Sequence, residues 1–201
     1  MAERIDTLIL GSHVVTMNAT RDIIRDGAVA LRGSRIVGVG RAGDLKERYE
    51  ASETVGGDRF VVTPGMVNAH IHVTGEPLAR GYVPDDTPFV ENVFEWLCPL
   101  YSVHTAAEER LSAQLAAVEM LRSGTTTFLE AGTIRFLDEV FDGLGEIGIR
   151  GRLGRWVWDL PPHPDVYKQD TDEAIGFLQH QLENHHSEAD GRLGAWSILV
   201  G

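Results

Sequence analysis

VVTPGMVNAHIH, residues 61–72, is an apolar run that is interrupted by Pro-Gly and ends in two histidines one residue apart. Successive side chains of a β-strand point to opposite faces, so residues i and i+2 point the same way. We therefore expect His70 and His72 to project together from one strand end. Two imidazoles aimed at one point suit a metal ion such as Zn²⁺. The pattern favours a metal-dependent enzyme, although two ligands do not complete a metal site.

The spacing of the two histidines alone is a weak signal, because a strand can also carry two histidines that are hydrogen-bonded in a packed core. Two further features favour the metal interpretation. The pair ends an apolar strand, which is where barrels and open α/β sheets place active sites. Residues 74–103 then form a long connection with five aromatic residues and four prolines, as expected of a lid or pocket wall.

The chain changes its pattern at Pro64-Gly65, a strong turn signal. Residues 1–63 predict a small β domain. The predicted strands are Thr7–Leu10, His13–Met17, Ala28–Leu31 and Arg35–Val39, with turn signals at Asp26-Gly27 and Arg32–Ser34. The last two strands are expected to form a hairpin, and residues 44–49 a short helix.

Residues 64–201 alternate strands with helices, which implies an α/β fold with parallel strands and right-handed crossovers. The predicted strands are Val67–Val73, Thr125–Leu129, Ile149–Val157 and Trp196–Val200, and the predicted helices span residues 105–122, 133–147 and 170–185. A (β/α)8 TIM barrel uses about 31 residues per strand–helix unit, so this segment fits the first half of one. An open four-stranded sheet is the structural alternative.

The helix over residues 105–122 has the clearest local signals. Thr105 and Glu108 form a capping-box pattern, and Gly124 follows the last turn. The apolar positions expected to face the core are Leu111, Leu115, Val118 and Leu121. In the next helix Thr133 is the expected N-cap and Gly148 the expected stop.

The formal net charge is −12, and its whole excess lies in residues 61–201, since residues 1–60 carry nine basic and nine acidic side chains. An acidic surface repels nucleic acid and anionic membranes, so neither is an expected partner. No secretory signal pattern or membrane-length apolar run is present. Cys98 is the only cysteine, which excludes an internal disulfide and favours a cytoplasmic, reducing location.

The segment from Pro64 to His72 resembles the first-strand signature of the amidohydrolase superfamily. LARG at residues 78–81, EWL at 95–97 and EMLRSGTTTF at 119–128 continue the resemblance over nearly the whole chain. The branch it resembles most contains the chlorohydrolases of s-triazines and the deaminases of methylthioadenosine and S-adenosylhomocysteine.

The resemblance implies that residues 1–63 form a composite, β-sandwich-like domain, which C-terminal strands of a longer protein complete. It also implies a barrel hydrolase with one divalent metal ion, Zn²⁺ in the first place and Fe or Mn as alternatives. His70 and His72 match the family's two first-strand ligands, and the remaining ligands and catalytic acid–base residues are expected beyond residue 201. Binuclear members carry a carboxylated lysine at the end of strand four. Residues 196–201 contain no lysine, so the mononuclear, deaminase-like form is favoured.

Two residues are predicted to bind substrate. Trp96 matches a position that contacts the substrate ring in related deaminases, although a place in the core is an equally good interpretation of this tryptophan. Arg155 lies at the end of the third predicted strand and can reach the same pocket. Further candidates there are Trp156, Trp158, Asp159 and His163.

The implied chemistry is metal-assisted hydrolysis of a carbon–nitrogen or carbon–chlorine bond in a small heterocycle, with deamination of a cyclic amidine expected first. One alternative is a cyclic-amide hydrolase of the same superfamily, which a lysine just past Gly201 would support. Another is a catalytically incomplete metal-binding fragment. The expected partners are the heterocyclic substrate, the C-terminal half of the barrel and further copies in a homo-oligomer of the full-length protein.

Overall fold

Residues 2–159 and 168–198 are described by the computed structural model, in which the chain divides after Pro64 into two units, Met1–Pro64 and Gly65–Gly201. His163 and the last residues of the predicted strand Trp196–Val200 lie outside the described residues. Each unit has its own sheet and its own apolar core.

The first unit is a four-stranded sheet in the order β3-β2-β1-β4, in which β4 runs parallel to β1 and the other neighbours are antiparallel. Its elements are β1 (Glu3–Val15), β2 (Ile23–Arg32), β3 (Arg35–Arg41), α1 (Ala42–Arg48) and β4 (Tyr49–Val62). Leu45 of α1 packs on the sheet with Ile5 and Leu8, and the Tyr49 hydroxyl donates to the Val37 carbonyl at 2.9 Å. The described residues form one sheet and one helix here, and completion of a sandwich by C-terminal strands stays a prediction.

The predicted β2–β3 hairpin is present, with Arg32 opposite Arg35. The predicted turn at Asp26-Gly27 is wrong, because both residues lie inside β2, where Asp26 has a φ of 46°. Gly27 lies close against Val14: a Cβ at this glycine would meet the Val14 side chain at 2.6 Å. The turn between β1 and β2 forms instead around Asn18, whose side-chain oxygen accepts from the backbone N–H of Asp22 at 3.0 Å.

The second unit is a parallel sheet whose strands follow one another in chain order, β5-β6-β7-β8. The strands are β5 (Met66–Ile71), β6 (Thr125–Glu130), β7 (Arg150–Leu153) and β8 (Leu193–Ala195). The fourth predicted strand was placed too late in the chain, since β8 ends before Trp196. Parallel neighbours in sequential order are what the first half of a (β/α)8 barrel requires.

Helices connect these strands. The long ones are α5 (Ala106–Arg122), α6 (Leu137–Ile147) and α7 (Thr171–Asn184). The connection from β5 to α5 contains short turns, α2 (Glu76–Ala79), α3 (Phe89–Glu91), a π-helical segment (Asn92–Leu97) and α4 (Cys98–Ser102). Among the described residues no helix has both the length and the hydropathy that a membrane-spanning segment needs.

The caps of α5 and α7 follow their sequence signals. Thr105 and Glu108 form the predicted capping box, and Asp170 and Glu173 form a second one at α7. The predicted Thr133 cap of α6 is wrong. The N-terminus of α6 is capped from another helix, because the Glu109 carboxylate accepts from the backbone N–H groups of residues 135 and 136, each at 3.0 Å.

The predicted inward face of α5 is also wrong. Leu111 and Leu115 are 55% and 46% exposed, and Val118 and Leu121 are exposed as well. The buried residues of this helix are Glu109, Ser112, Ala113, Ala116, Ala117 and Met120. These mostly short side chains let α5 lie close to the sheet and to α6, so its small residues, and not its large apolar ones, face the core.

Candidate metal centre

His70 and His72 lie at the carboxyl end of β5. Between them Ile71 points into the apolar core, so the alternation of strand side chains directs both histidines to the opposite face. Their rings lie 5.0 Å apart between centroids, at an interplanar angle of 89°. His70 is exposed, and the side chain of His72 is 30% exposed. The structure thus brings the two imidazoles together, open to solvent, as a shared ligand would require.

A buried carboxylate lies beside this pair. Glu130 ends β6, the neighbour of β5, and its side chain is fully buried. Its Oε1 lies 3.9 Å from Nδ1 of His72. Its Oε2 accepts the backbone N–H of Gly132 at 2.7 Å, and its Oε1 accepts the hydroxyl of Thr133 at 3.2 Å.

Glu130 was missed by the sequence reasoning. The signal that identifies it is the last position of a β-branched strand, TTTFLE, next to the histidine strand in a parallel sheet. Carboxyl ends of adjacent parallel strands meet at one edge, so an acidic residue at this position falls near His72.

The donor chemistry fits a divalent metal ion. Imidazole nitrogen is a common zinc ligand, and metal-bound histidines generally donate their second ring N–H to a carboxylate or carbonyl. Within residues 2–159 and 168–198, no three His, Cys, Asp or Glu side chains are placed to hold a metal ion. Two imidazoles alone do not complete a metal site, and metal binding by His70 and His72 stays a prediction.

Trp96 lies in the π-helical segment and is partly buried. Its ring meets Tyr82 edge to face, with centroids 5.6 Å apart. π-Helical turns are rare and occur often at functional sites. Substrate contact by Trp96 stays a prediction.

Arg155 lies two residues beyond the end of β7, which is shorter than the predicted strand Ile149–Val157, and its side chain turns towards α7. Its guanidinium lies over the Phe177 ring at 3.8 Å from the centroid, and its backbone N–H donates to Gln181 at 2.8 Å. Burial lowers the pKa of Arg155, and the nearby Arg135 acts in the same direction. These contacts give Arg155 a packing role against α7, and its role in substrate binding stays a prediction.

The aromatic residues after β7 form a cluster with the long connection. Trp158 is buried against Cys98 and Tyr101, and its ring meets Trp156 edge to face at 4.6 Å. Asp159 accepts the hydroxyl of Thr171 at 3.1 Å. Burial raises the pKa of the Cys98 thiol to about 11, so this thiol stays protonated near neutral pH.

The parallel sheet with two histidines at the end of its first strand has the arrangement expected of the first half of a metal-dependent barrel hydrolase. The sequence profile of the amidohydrolase family matches residues 61–196, and the chain belongs to this family. The resemblance stated from the sequence motifs is thereby confirmed.

Two curated relatives of the chain are named as deaminases. The chain is 32% identical over 181 residues to 5-methylthioadenosine/S-adenosylhomocysteine deaminase 1 of Syntrophus aciditrophicus, covering 90% of this chain and 39% of that protein. It is 34% identical to the 5-methylthioadenosine/S-adenosylhomocysteine deaminase of Desulforudis audaxviator, covering 84% of this chain and 37% of the relative. The chain thus spans about two fifths of the length of these curated relatives.

Solved structures show the same fold. An adenosine deaminase from Xanthomonas campestris with bound zinc superposes with a TM-score of 0.79 at 26% identity, covering 97% of this chain and 43% of that one. An atrazine chlorohydrolase from Arthrobacter aurescens in complex with zinc gives a TM-score of 0.78 at 19% identity, covering 94% and 45%. The predicted fold class, a first half of a barrel preceded by a small sheet domain, is confirmed.

Proposed function

We propose that this chain contributes the first metal-binding strand and part of the substrate pocket to a metal-dependent hydrolase that deaminates a small heterocycle. The observation that carries the proposal is the perpendicular pair of imidazoles, 5.0 Å apart at the end of β5, in a chain of the amidohydrolase family. The relatives named as deaminases support a carbon–nitrogen bond as the target, and the chlorohydrolase neighbour keeps a carbon–chlorine bond as the alternative.

His70 and His72 are the residues that hold the metal, and zinc is the first choice because two solved neighbours contain it. A metal ion bound there acts as a Lewis acid and makes water a better nucleophile near neutral pH. Trp96 offers a ring face for a flat heterocycle, and stacking of this kind contributes about 0.5–1.5 kcal/mol beyond the burial of area. The acid–base groups that protonate the ring and the leaving group are proposed to lie beyond residue 201.

The test uses the longest natural polypeptide that contains this chain. Its metal content is measured after purification, and its turnover is measured on adenosine, 5-methylthioadenosine, S-adenosylhomocysteine, an s-triazine and a cyclic amide. We expect about one zinc per chain and release of ammonia from an aminopurine. His70→Ala is expected to remove both the bound zinc and the turnover, because one imidazole ligand is lost.

His186→Ala is the matched control, since His186 is an exposed histidine in the polar segment after α7. This variant should keep its zinc and its activity. Full zinc retention in His70→Ala would contradict the assignment of the metal site. If only the triazine is turned over, the proposed activity becomes dechlorination and not deamination. If only a cyclic amide is turned over, the result favours the cyclic-amide hydrolase.

We further propose a cytoplasmic location and a homo-oligomeric full-length enzyme. The single, buried cysteine supports the first of these proposals, because a protein without disulfides suits a reducing compartment. The acidic net charge of −12 supports a small heterocycle, and not a nucleic acid, as the substrate.

A further inference from the structure

The Glu130 carboxylate is held rigidly beside the proposed metal centre. Its Oε2 is fixed by the backbone N–H of Gly132 at 2.7 Å, and its own backbone carbonyl accepts the indole N–H of Trp196 at 3.1 Å. Thr133 donates to Oε1, and its hydroxyl oxygen in turn lies 2.8 Å from that of Thr74. Because Thr133 uses its hydrogen on Glu130, Thr74 is the donor of this last bond.

The same Oε1 faces Nδ1 of His72 at 3.9 Å. A rotation of the His72 ring that closes this gap by about 1 Å gives a direct hydrogen bond of ordinary length. Since the carboxylate is an acceptor only, the imidazole must be the donor. His72 then carries its proton on Nδ1, and the lone pair of Nε2 is left for another partner.

We propose that Glu130 is a positioning residue that fixes the ring orientation and the tautomer of His72, so that Nε2 is presented to the metal ion. The proposal rests on the proposed function and deepens it. A ligand histidine is ordinarily oriented in this way by a carboxylate or carbonyl, and loss of such a partner costs about 10- to 100-fold in metal affinity. His70, which is exposed, is the more adjustable of the two ligands.

Glu130→Gln reverses the polarity of this contact. The amide oxygen takes the position of Oε2, because the Gly132 N–H can only donate, whereas the Thr133 hydroxyl at Oε1 can rotate and accept from an amide. The amide NH₂ group then occupies the position of Oε1 and donates towards Nδ1 of His72. The neutral imidazole is driven to the Nε2–H tautomer, which blocks the nitrogen that the metal ion needs.

Glu109→Gln is the matched control. Glu109 is also a fully buried glutamate that accepts backbone N–H groups, but it caps α6, and residues 135 and 136 are its donors. Both variants are made in the polypeptide used for metal analysis, and their circular dichroism is compared with that of the parent protein. Glu130→Asp serves as a second variant, because it keeps the charge and draws the carboxylate back by one methylene.

Two measurements distinguish a loss of His72 positioning from a general destabilisation of the fold. The first is zinc affinity, measured by competition with a chelator. The second is the tautomer of His72, read from ¹⁵N chemical shifts of labelled histidine in the metal-free protein at a pH above about 8, where imidazole is neutral. His72→Gln identifies the resonance.

We expect Glu130→Gln to lower zinc affinity about 10- to 100-fold and to move His72 from the Nδ1–H to the Nε2–H form. Glu109→Gln should change zinc affinity less than twofold and leave the tautomer unchanged, and Glu130→Asp should be intermediate. An unchanged His72 tautomer in Glu130→Gln would overturn the proposal. If the parent protein binds no zinc, the proposed function fails, while the tautomer measurement still decides whether Glu130 positions His72.

Discussion

Glu109 and Glu130 show how position decides the role of a buried carboxylate. Both side chains are fully buried, and both accept backbone N–H groups, so neither is left without compensation for the loss of water. Glu130 ends a strand beside His72 and faces the proposed metal centre. Glu109 lies on α5 and caps α6, which joins two helices through one side chain. The sequence places Glu109 in a predicted helix and Glu130 directly after a predicted strand, but it does not show that either carboxylate is buried.

Burial raises the pKa of Glu109 above its usual range, although the backbone hydrogen bonds from residues 136 and 135 oppose the shift. A raised folded-state pKa contributes stability that is complete below the unfolded value, about pH 4.3, and is lost as the pH rises through the folded value. The free energy of unfolding of the parent chain, minus that of Glu109→Gln, should therefore fall as the pH rises from about 4. Urea denaturation at a series of pH values measures this difference.

Glu108→Gln gives the opposite slope and serves as the control. Hydrogen bonds from the backbone and side chain of Thr105 lower the pKa of the exposed Glu108. Its contribution is present above the unfolded pKa and is lost as the pH falls through the folded one. If the stability difference changes with pH in the same direction for both variants, the two glutamates do not have pKa shifts of opposite sign.

At the scale of elements, local signals located the ends of α5 correctly but not its faces. Thr105 and Gly124 act through hydrogen bonds and a φ of 87° within a few residues, and such effects can be seen in the sequence. The buried face depends on what lies across from it. Ser112 donates to the Val73 carbonyl at 3.2 Å, which requires a close approach of α5 to the chain after β5. Hydrophobic periodicity assumes that the largest apolar side chains face inward, and a close approach favours the small ones.

Two substitutions in α5 test its orientation. Leu115→Gln replaces an exposed residue and should change the free energy of unfolding by no more than about 0.5 kcal/mol. Ala116→Leu inserts a large side chain into the buried face and should destabilise by about 1–3 kcal/mol. Both are measured by urea denaturation of the 201-residue chain. If Leu115→Gln lowers the free energy of unfolding by more than about 2 kcal/mol, Leu115 lies on the buried face, as periodicity predicted.

In the candidate site, too, the sequence predicted the local geometry but not the contacts between different strands and helices. Strand alternation alone predicted that His70 and His72 share a face, because that geometry is local. Glu130 comes from another strand, and its approach to His72 depends on the register of β5 and β6, in which Ile71 lies opposite Glu130. Arg155 was expected near the end of the third strand and lies just after β7, but only the packing of α7 shows that its guanidinium covers Phe177.

At the scale of the whole molecule, each unit leaves apolar surface that a longer chain of this family has the length to cover. In the described part of the second unit, β5 and β8 form the two edges of the sheet. Met66 and Val67 of β5 are 63% and 62% exposed. In the first unit, Ile36 and Val39 are exposed on β3. These surfaces support the prediction that further strands complete both the sheet domain and the barrel, since an open apolar edge is costly in water.

The open edge also predicts the behaviour of the 201-residue chain by itself. An unpaired strand with exposed apolar residues is a template for pairing with another chain, so we expect concentration-dependent association in sedimentation velocity. Val67→Lys places a charge on this edge and should weaken association by about tenfold or more, because edge lysines oppose strand pairing. Gln179→Lys adds the same charge to an exposed position of α7 and should leave association unchanged. A chain that stays monomeric at all concentrations, or equal association of the two variants, would show that the β5 edge is not the contact surface.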